Sequence, residues 1–246
     1  DLKANGGGIS AVTVQGSGVI SVAGIADFRL PAANVTGTGT FTLSPTGTLI
    51  IGSPDGISAS GGTGQIQTAT RNFSAGAIYD YRGTSAQITG DGLPSSIKKL
   101  RIENSTGVAL TSGTAVSDTV HLVSGDLDLN GNTLTLGALG YLRETTGNSV
   151  VGTSGTITTT RTLTIPTGDD IAGLGVAITS AADLGSTVIA RGHAVQGGTS
   201  IRRYFDISPT LNSALNATLV FKYNGGELAG KDEGMLELWK SVDAGI

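Results

Sequence analysis

Asp126, Asp128 and Asn130 stand at alternate positions just before Gly131, the arrangement that opens a calcium-binding loop. An EF-hand loop then needs a bidentate glutamate at its twelfth position, where this chain has Gly137. Leu127 and Leu129 fit the inward face of a strand instead, with Asp126, Asp128 and Asn130 on the outer face. A weak oxygen-ligand calcium site is the only metal chemistry this stretch offers. A second group, Asp80, Arg82, Asp91, Arg101, Glu103 and Asp118, has the residue types that cleave polysaccharides, since glycosidic acid/base chemistry needs paired carboxylates. Nothing in the spacing brings them onto one face, so the expectation is separate surface charges. His121, between Val120 and Leu122, points away from them as an outward residue, and His193, between Gly192 and Ala194, reads as part of a turn. With no cysteine and two histidines, thiolate catalysis, disulfides and multi-histidine metal centres are excluded. Gly6, Gly7, Gly8, Gly61 and Gly62 are loop glycines without a phosphate-loop context. No catalytic residue and no cofactor is expected.

The elements that would position these residues are strands. In 246 residues there are 39 glycines, and glycine or a β-branched residue interrupts nearly every window in which a helix would need a continuous apolar stripe. Period two is clear at Phe41 and Leu43, Leu127 and Leu129, Leu134 and Leu136, and Leu163 and Ile165. These runs are short, end in glycine or Asn-Gly, and recur loosely about every 20 residues, which is a solenoid signal. Aromatic content is only 4%, so the core is aliphatic and fits a narrow interior. The reading is an all-β chain: a right-handed parallel β-helix with irregular repeats over residues 1–160. About seven coils at ~4.8 Å would make a rod of ~35 Å. An antiparallel sandwich is the competing arrangement for this part, because Asn130-Gly131 also suits a hairpin turn.

Charged and aromatic residues gather beyond residue 160: Arg202, Arg203, Tyr204, Phe205, Phe221, Tyr223 and Trp239. Residues 161–246 are expected to form an antiparallel β-sandwich-like cap. Its candidate strands are 161–165, 175–180, 187–191, 201–208, 217–223 and 236–241, with the aromatic residues packed in its core. The start at Asp1 and the stop at Ile246, just after a strand, suggest a piece cut from a longer polypeptide. A net charge of −4, with Lys98, Lys99 and Arg101 as the densest basic cluster, argues against nucleic acid as a partner. No apolar run approaches the ~18 residues that span a bilayer.

Four stretches together carry a family resemblance: 78–94, 97–111, 124–137, and Arg203 to Pro209 with Leu236 to Ser241. The chain resembles the large secreted β-strand-repeat surface proteins of Bacteroidetes, many of them cargo of the type IX secretion system. The resemblance covers roughly residues 40–246. It implies an extracellular or cell-surface location and a structural or adhesive role. The implied partners are other domains of the same long polypeptide, cell-surface polysaccharide or the secretion machinery. The C-terminal sorting domain of that family is not visible in this chain. Asp118-Thr119-Val120 resembles the O-glycosylation motif of exported proteins of that phylum, which would put a sugar on Thr119. The Asn-x-Ser/Thr triplets at Asn34, Asn72, Asn104 and Asn216 are expected accidents of a Ser/Thr-rich chain. A polysaccharide-degrading or carbohydrate-binding β-helix is the alternative function.

Overall fold

The computed structural model describes residues 2–3, 11–30 and 32–241; Gly6 to Gly8 and Asp243 to Ile246 lie outside them. The chain is 46% strand and 4% helix and forms a β-solenoid of about 7 turns with an antiparallel cap sheet. One long sheet runs through the solenoid. Its parallel strands are Leu2–Lys3, Ile25–Phe28, Thr48–Ile51, Ile78–Tyr81, Ser96–Glu103 and Thr114–Ser124. Thr133–Leu136 and Tyr141–Glu144 pair with the two halves of Thr114–Ser124, and Thr156–Leu163 follows Thr133–Leu136. A four-stranded sheet of Ala11–Thr13, Val19–Val22, Asn34–Leu43 and Ile66–Phe73 serves the early coils. Another, of Gln87–Ile88, Val108–Ala109, Leu127–Asp128 and Val150–Val151, serves the later ones.

Stacking in register turns the period-two pattern into continuous apolar rows. Ala26, Leu49, Tyr79, Leu100, Val120 and Leu142 form one row, each beside the next and each almost fully buried. Phe28, Ile51, Tyr81, Ile102 and Leu122 form a second. The two tyrosines enter this core because their hydroxyls find carbonyls: Tyr79 donates to Ser74 O at 2.8 Å and Tyr81 to Thr89 O at 2.7 Å. Leu127, Leu129, Leu134 and Leu136 all point inward as the alternation requires.

Corners are made by asparagine and glycine. Gly125 has φ +82°, and a Cβ there would overlap Asn104 O of the adjacent coil. Its amide donates to Asn148 Oδ1 at 2.6 Å, while Asn104 Nδ2 donates to Ser85 O at 2.7 Å. Gly147 has nearly the same φ, +84°, but open space around it. Gly125→Ala is therefore expected to destabilise by at least about 1 kcal/mol more than Gly147→Ala, because only the former adds a steric clash to the ~1 kcal/mol of left-handed strain. Paired thermal melts check this. Asn104 is 1% exposed, so its amide belongs to the corner and not to solvent.

The cap continues the long sheet with reversed polarity. Gly185–Gly192 pairs antiparallel with Thr156–Leu163, and Tyr204–Pro209 pairs antiparallel with Gly185–Gly192. Thr156–Leu163 thus has a parallel neighbour on one side and an antiparallel one on the other. A separate antiparallel sheet holds Thr167–Asp170, Val176–Thr179 and Thr218–Phe221. Phe205 and Phe221 stack across the two sheets with centroids 5.0 Å apart.

Several expectations for this region are corrected. The strand expected over 161–165 lies at Thr156–Leu163, and Ile165 is a 55% exposed turn residue with φ +48°. The strand expected over 236–241 does not form: a 3-10 turn at Glu233–Met235 leads into a segment without regular structure. Trp239 is 84% exposed rather than in the core, because no strand carries it against the sheets. Tyr204, Phe205, Phe221 and Tyr223 are only half-buried. No helix among the described residues is long and apolar enough to cross a membrane.

Candidate functional site

Two polar assemblies stand out, one on the outer face of the long sheet and one inside the junction with the cap. The outer one arises from strand register. Asp27, Ile50, Asp80, Arg101, His121 and Arg143 are successive neighbours across the sheet. Arg82 and Glu103 lie two residues further along their strands, on the same face. Arg82 Nη2 contacts Asp80 Oδ2 at 2.8 Å and Arg82 Nε contacts Glu103 Oε2 at 2.6 Å. Arg101 reaches the same two carboxylates, at 3.4 Å and 2.9 Å. Asp27 is gripped alongside by Arg29 through three side-chain hydrogen bonds.

The expectation of separate charges at Asp80, Arg82, Arg101 and Glu103 is therefore corrected: parallel register aligns residues about 20 apart in sequence. Asp91 and Asp118 stay apart from this group. Asp91 accepts the Ala59 amide at 2.9 Å, and Asp118 pairs with Lys99 at 3.3 Å. Asp80 is 2% exposed, and burial pushes its carboxyl up against the opposing pull of Arg82 and Arg101. Its Oδ1 is buried with no hydrogen-bond partner. In Asp27, burial is outweighed by the hydrogen bonds from Arg29, and the carboxyl is held below its usual range. His121 is on the outer face as expected, pushed down by burial and by Arg143 and Arg101. Chemically this face is a set of carboxylates neutralised by arginines.

The inner assembly begins where the second apolar row ends. The position after Leu122 in that row is Glu144, so a carboxylate caps the column of Phe28, Ile51, Tyr81, Ile102 and Leu122. Arg191, with no exposed surface, holds Glu144 through Nη2 at 2.5 Å and Nη1 at 3.2 Å. Its Nε donates to His193 Nε2 at 3.3 Å, which makes Nδ1 the protonated nitrogen, 3.1 Å from Glu227 Oε1. Arg203 Nε donates to Glu227 Oε1 at 3.0 Å, and its Nη2 lies 2.9 Å from Oε2. The Asn224 amide donates to Glu227 Oε2 at 2.7 Å. Two arginines, two glutamates and a neutral histidine thus balance in charge, and they join the last coil to Gly185–Gly192 and to the turn at Gly225–Leu228, with Arg203 Nη1 donating to Lys222 O at 2.7 Å just beyond the separate cap sheet. His193 is 4% exposed and not an ordinary turn residue.

Sequence reasoning missed this cluster, although one signal was present. In Tyr141-Leu-Arg-Glu144, an inward Leu142 implies an inward Glu144.

The charge state has a pH consequence. Burial pushes His193 below its ordinary value, helped by Arg191 and Arg203. Burial acts to raise Glu227, but His193, the Asn224 amide and Arg203 overcome it and hold the carboxyl low. Both groups bind protons more readily in the unfolded chain. Their contribution is complete above an unfolded histidine's ~6.5, declines as pH falls below that, and declines again below the ~4.3 of a free glutamate. Thermal melts at pH 7.5 and pH 5 are expected to show the cap weakening first at the lower pH. Asp80 acts oppositely, since a raised carboxyl favours the folded state on acidification.

The remaining sequence candidates are structural in their contacts. Asp126 Oδ1 accepts the Ser149 amide and Asp128 Oδ1 accepts the Asn130 amide, both at 2.8 Å. Asn130 Nδ2 donates to Leu110 O at 3.1 Å. No group of three metal-ligating side chains occurs among the described residues. Thr119 lies on the outer face between Lys99 and Tyr141, and its hydroxyl donates to Asp118 at 2.6 Å. Compared with protein-family models, curated proteins and solved structures, the chain matches none.

Proposed function

We propose that this chain is a structural, adhesive segment of a large cell-surface or secreted repeat protein, without catalysis of its own. The observation that supports this reading best is the neutralised outer face, where Arg82 and Arg101 hold Asp80 and Glu103. A carboxylate bound in this way is a poor proton donor or base toward a glycosidic oxygen. Stacked coils place backbone hydrogen bonds along the long axis, which makes a stiff spacer, and the cap covers an edge that would otherwise pair with other chains. The reading extends to the Bacteroidetes surface proteins that the sequence resembles, with type IX export, an extracellular location and neighbouring domains as partners. The solenoid would end and the cap begin near residue 160.

An antibody to this segment, used on intact cells and on culture medium of the source organism, tests the reading. The expected result is a surface-bound or secreted band well above the 24.6 kDa of the chain. An intracellular band at that mass would overturn it.

A polysaccharide-cleaving or polysaccharide-binding solenoid is the second reading, and Asp80 favours it. Its carboxyl is buried and pushed up by that burial, and its Oδ1 has no hydrogen-bond partner, which are marks of a functional carboxyl. Incubation with acidic and neutral polysaccharides separates the two. No new reducing ends or unsaturated products are expected. Products that vanish in Asp80→Asn would establish the enzyme instead.

A further inference from the structure

We infer that the cap sheet is completed by a second copy of this chain, whose segment 237–240 adds as an antiparallel strand to the outer edge of Thr218–Phe221. Thr218–Phe221 is the last strand of its sheet, paired on one side only, with Val176–Thr179. Both of its faces are open: Leu219 is 38% exposed and Val220, on the opposite face, 53%. The other outer cap strands carry residues that discourage pairing. Tyr204–Pro209 has an exposed Asp206 and ends in Pro209, and Thr167–Asp170 contains Gly168, Asp169 and Asp170. Thr218–Phe221 contains no charge, proline or glycine, so it is the bare edge of the cap.

The tail has the pattern of a strand, yet residues 237–240 pair with no strand among the described residues. Leu238 is 73% exposed and Trp239 84%, flanked by Glu237 and Lys240. An antiparallel register that places Glu237 opposite Lys222 satisfies both sides. Lys222 is 65% exposed at its side chain and reaches Asp170 only at 3.6 Å, so its ammonium is available to a second carboxylate. The same register sets Leu238 beside Phe221, on the face that stacks on Phe205, and lays Trp239 over Val220. Lys240 then runs its aliphatic stem along Leu219.

A second copy, rather than the same chain, supplies the strand because two turns hold the tail off its own edge. Glu227 and Asn224 cap each other in the first turn, and Glu227 is buried in the junction cluster. In the second, Asp232 accepts the Gly234 amide at 3.0 Å and Tyr223 donates to Glu233 at 2.7 Å. Exchange is reciprocal, each copy giving a tail and receiving one, so the assembly closes as a two-fold dimer.

The test is the mass of the 246-residue chain by light scattering over roughly 1–100 µM, the range in which modest interfaces assemble. It is read together with emission from Trp239, the single tryptophan. The expected result is twice the chain mass at high concentration, with emission moving to shorter wavelength as the dimer forms. Leu238→Lys and, separately, Val220→Lys are expected to keep the chain monomeric with the emission of an exposed indole. Both positions are exposed in the single chain, so circular dichroism should not change. Three results would overturn the inference. One is a monomer with exposed indole at every concentration. Another is a monomer whose indole is shielded at the lowest concentration, which would put the tail on its own edge. The last is a dimer that both lysine variants leave intact.

Discussion

Arg191→Met is expected to lower the stability of the cap by about 3–5 kcal/mol, the usual cost of removing one partner from a buried ion pair. Glu144 would keep the Val150 amide, at 2.8 Å, but its nearest cation would be Arg203, at 3.9 Å, and His193 Nε2 would lose its donor. Methionine preserves most of the buried volume, so the loss reports charge and hydrogen bonding more than packing. The double variant Arg191→Met, Glu144→Leu is the informative comparison. It removes both charges and continues the apolar row beyond Leu122, so it should recover much of the loss. Solenoids unfold unit by unit, and the cap is an end unit. Melting followed by far-ultraviolet circular dichroism should therefore resolve an early cap transition in Arg191→Met ahead of the solenoid. A single unshifted transition would mean that the junction cluster does not hold the cap.

Leu127→Asp is expected to be more damaging still and to act on the solenoid itself. Leu127 has no exposed surface and stacks between Val108 and Val150, which are 2% and 0% exposed. A carboxylate there meets no donor, so the cost combines lost apolar burial of about 2 kcal/mol with several more for the buried polar group. A total above about 4 kcal/mol is expected, enough to prevent folding of the later coils in a marginally stable chain. Asp128→Ala, one residue away on the opposite face, loses one local hydrogen bond to Asn130 and should cost only about 1 kcal/mol. Expression yield and thermal melts of the two variants form the test. Similar melting curves would contradict the inward assignment of Leu127 and, with it, the register of that sheet.

Paired with the pH dependence, these substitutions separate two kinds of ion cluster in one molecule. The outer cluster is stabilising only to the modest degree of partly exposed pairs, and salt screens it. The inner one is shielded from salt and sensitive to acid, because burial keeps His193 neutral and the Glu227 carboxyl is held low.

The alternation of single aliphatics with Thr, Ser and Asp was sufficient to assign strands and to orient Leu127, Leu129, Leu134, Leu136 and His121. Side chains in a strand alternate by geometry, whatever the strand pairs with. Frequent glycine and asparagine between short strands pointed to a solenoid, because its corners need backbone conformations those residues tolerate; Gly125 and Asn130 occupy them with positive φ. Where each row lay relative to the next was not readable. Coil lengths are irregular, and a single inserted residue shifts every neighbour across the sheet, so the meeting of Asp80, Arg82, Arg101 and Glu103 was settled by register alone. The antiparallel cap was legible in the same pattern, but its strand bounds were not, because its strands pair across long loops. The pattern at 236–241 is as strand-like as any, yet no strand forms there. Local sequence determined which residues are inward and where the chain turns. Only tertiary structure decided which charges meet, since pairing distance depends on how far each coil carries the chain before it returns.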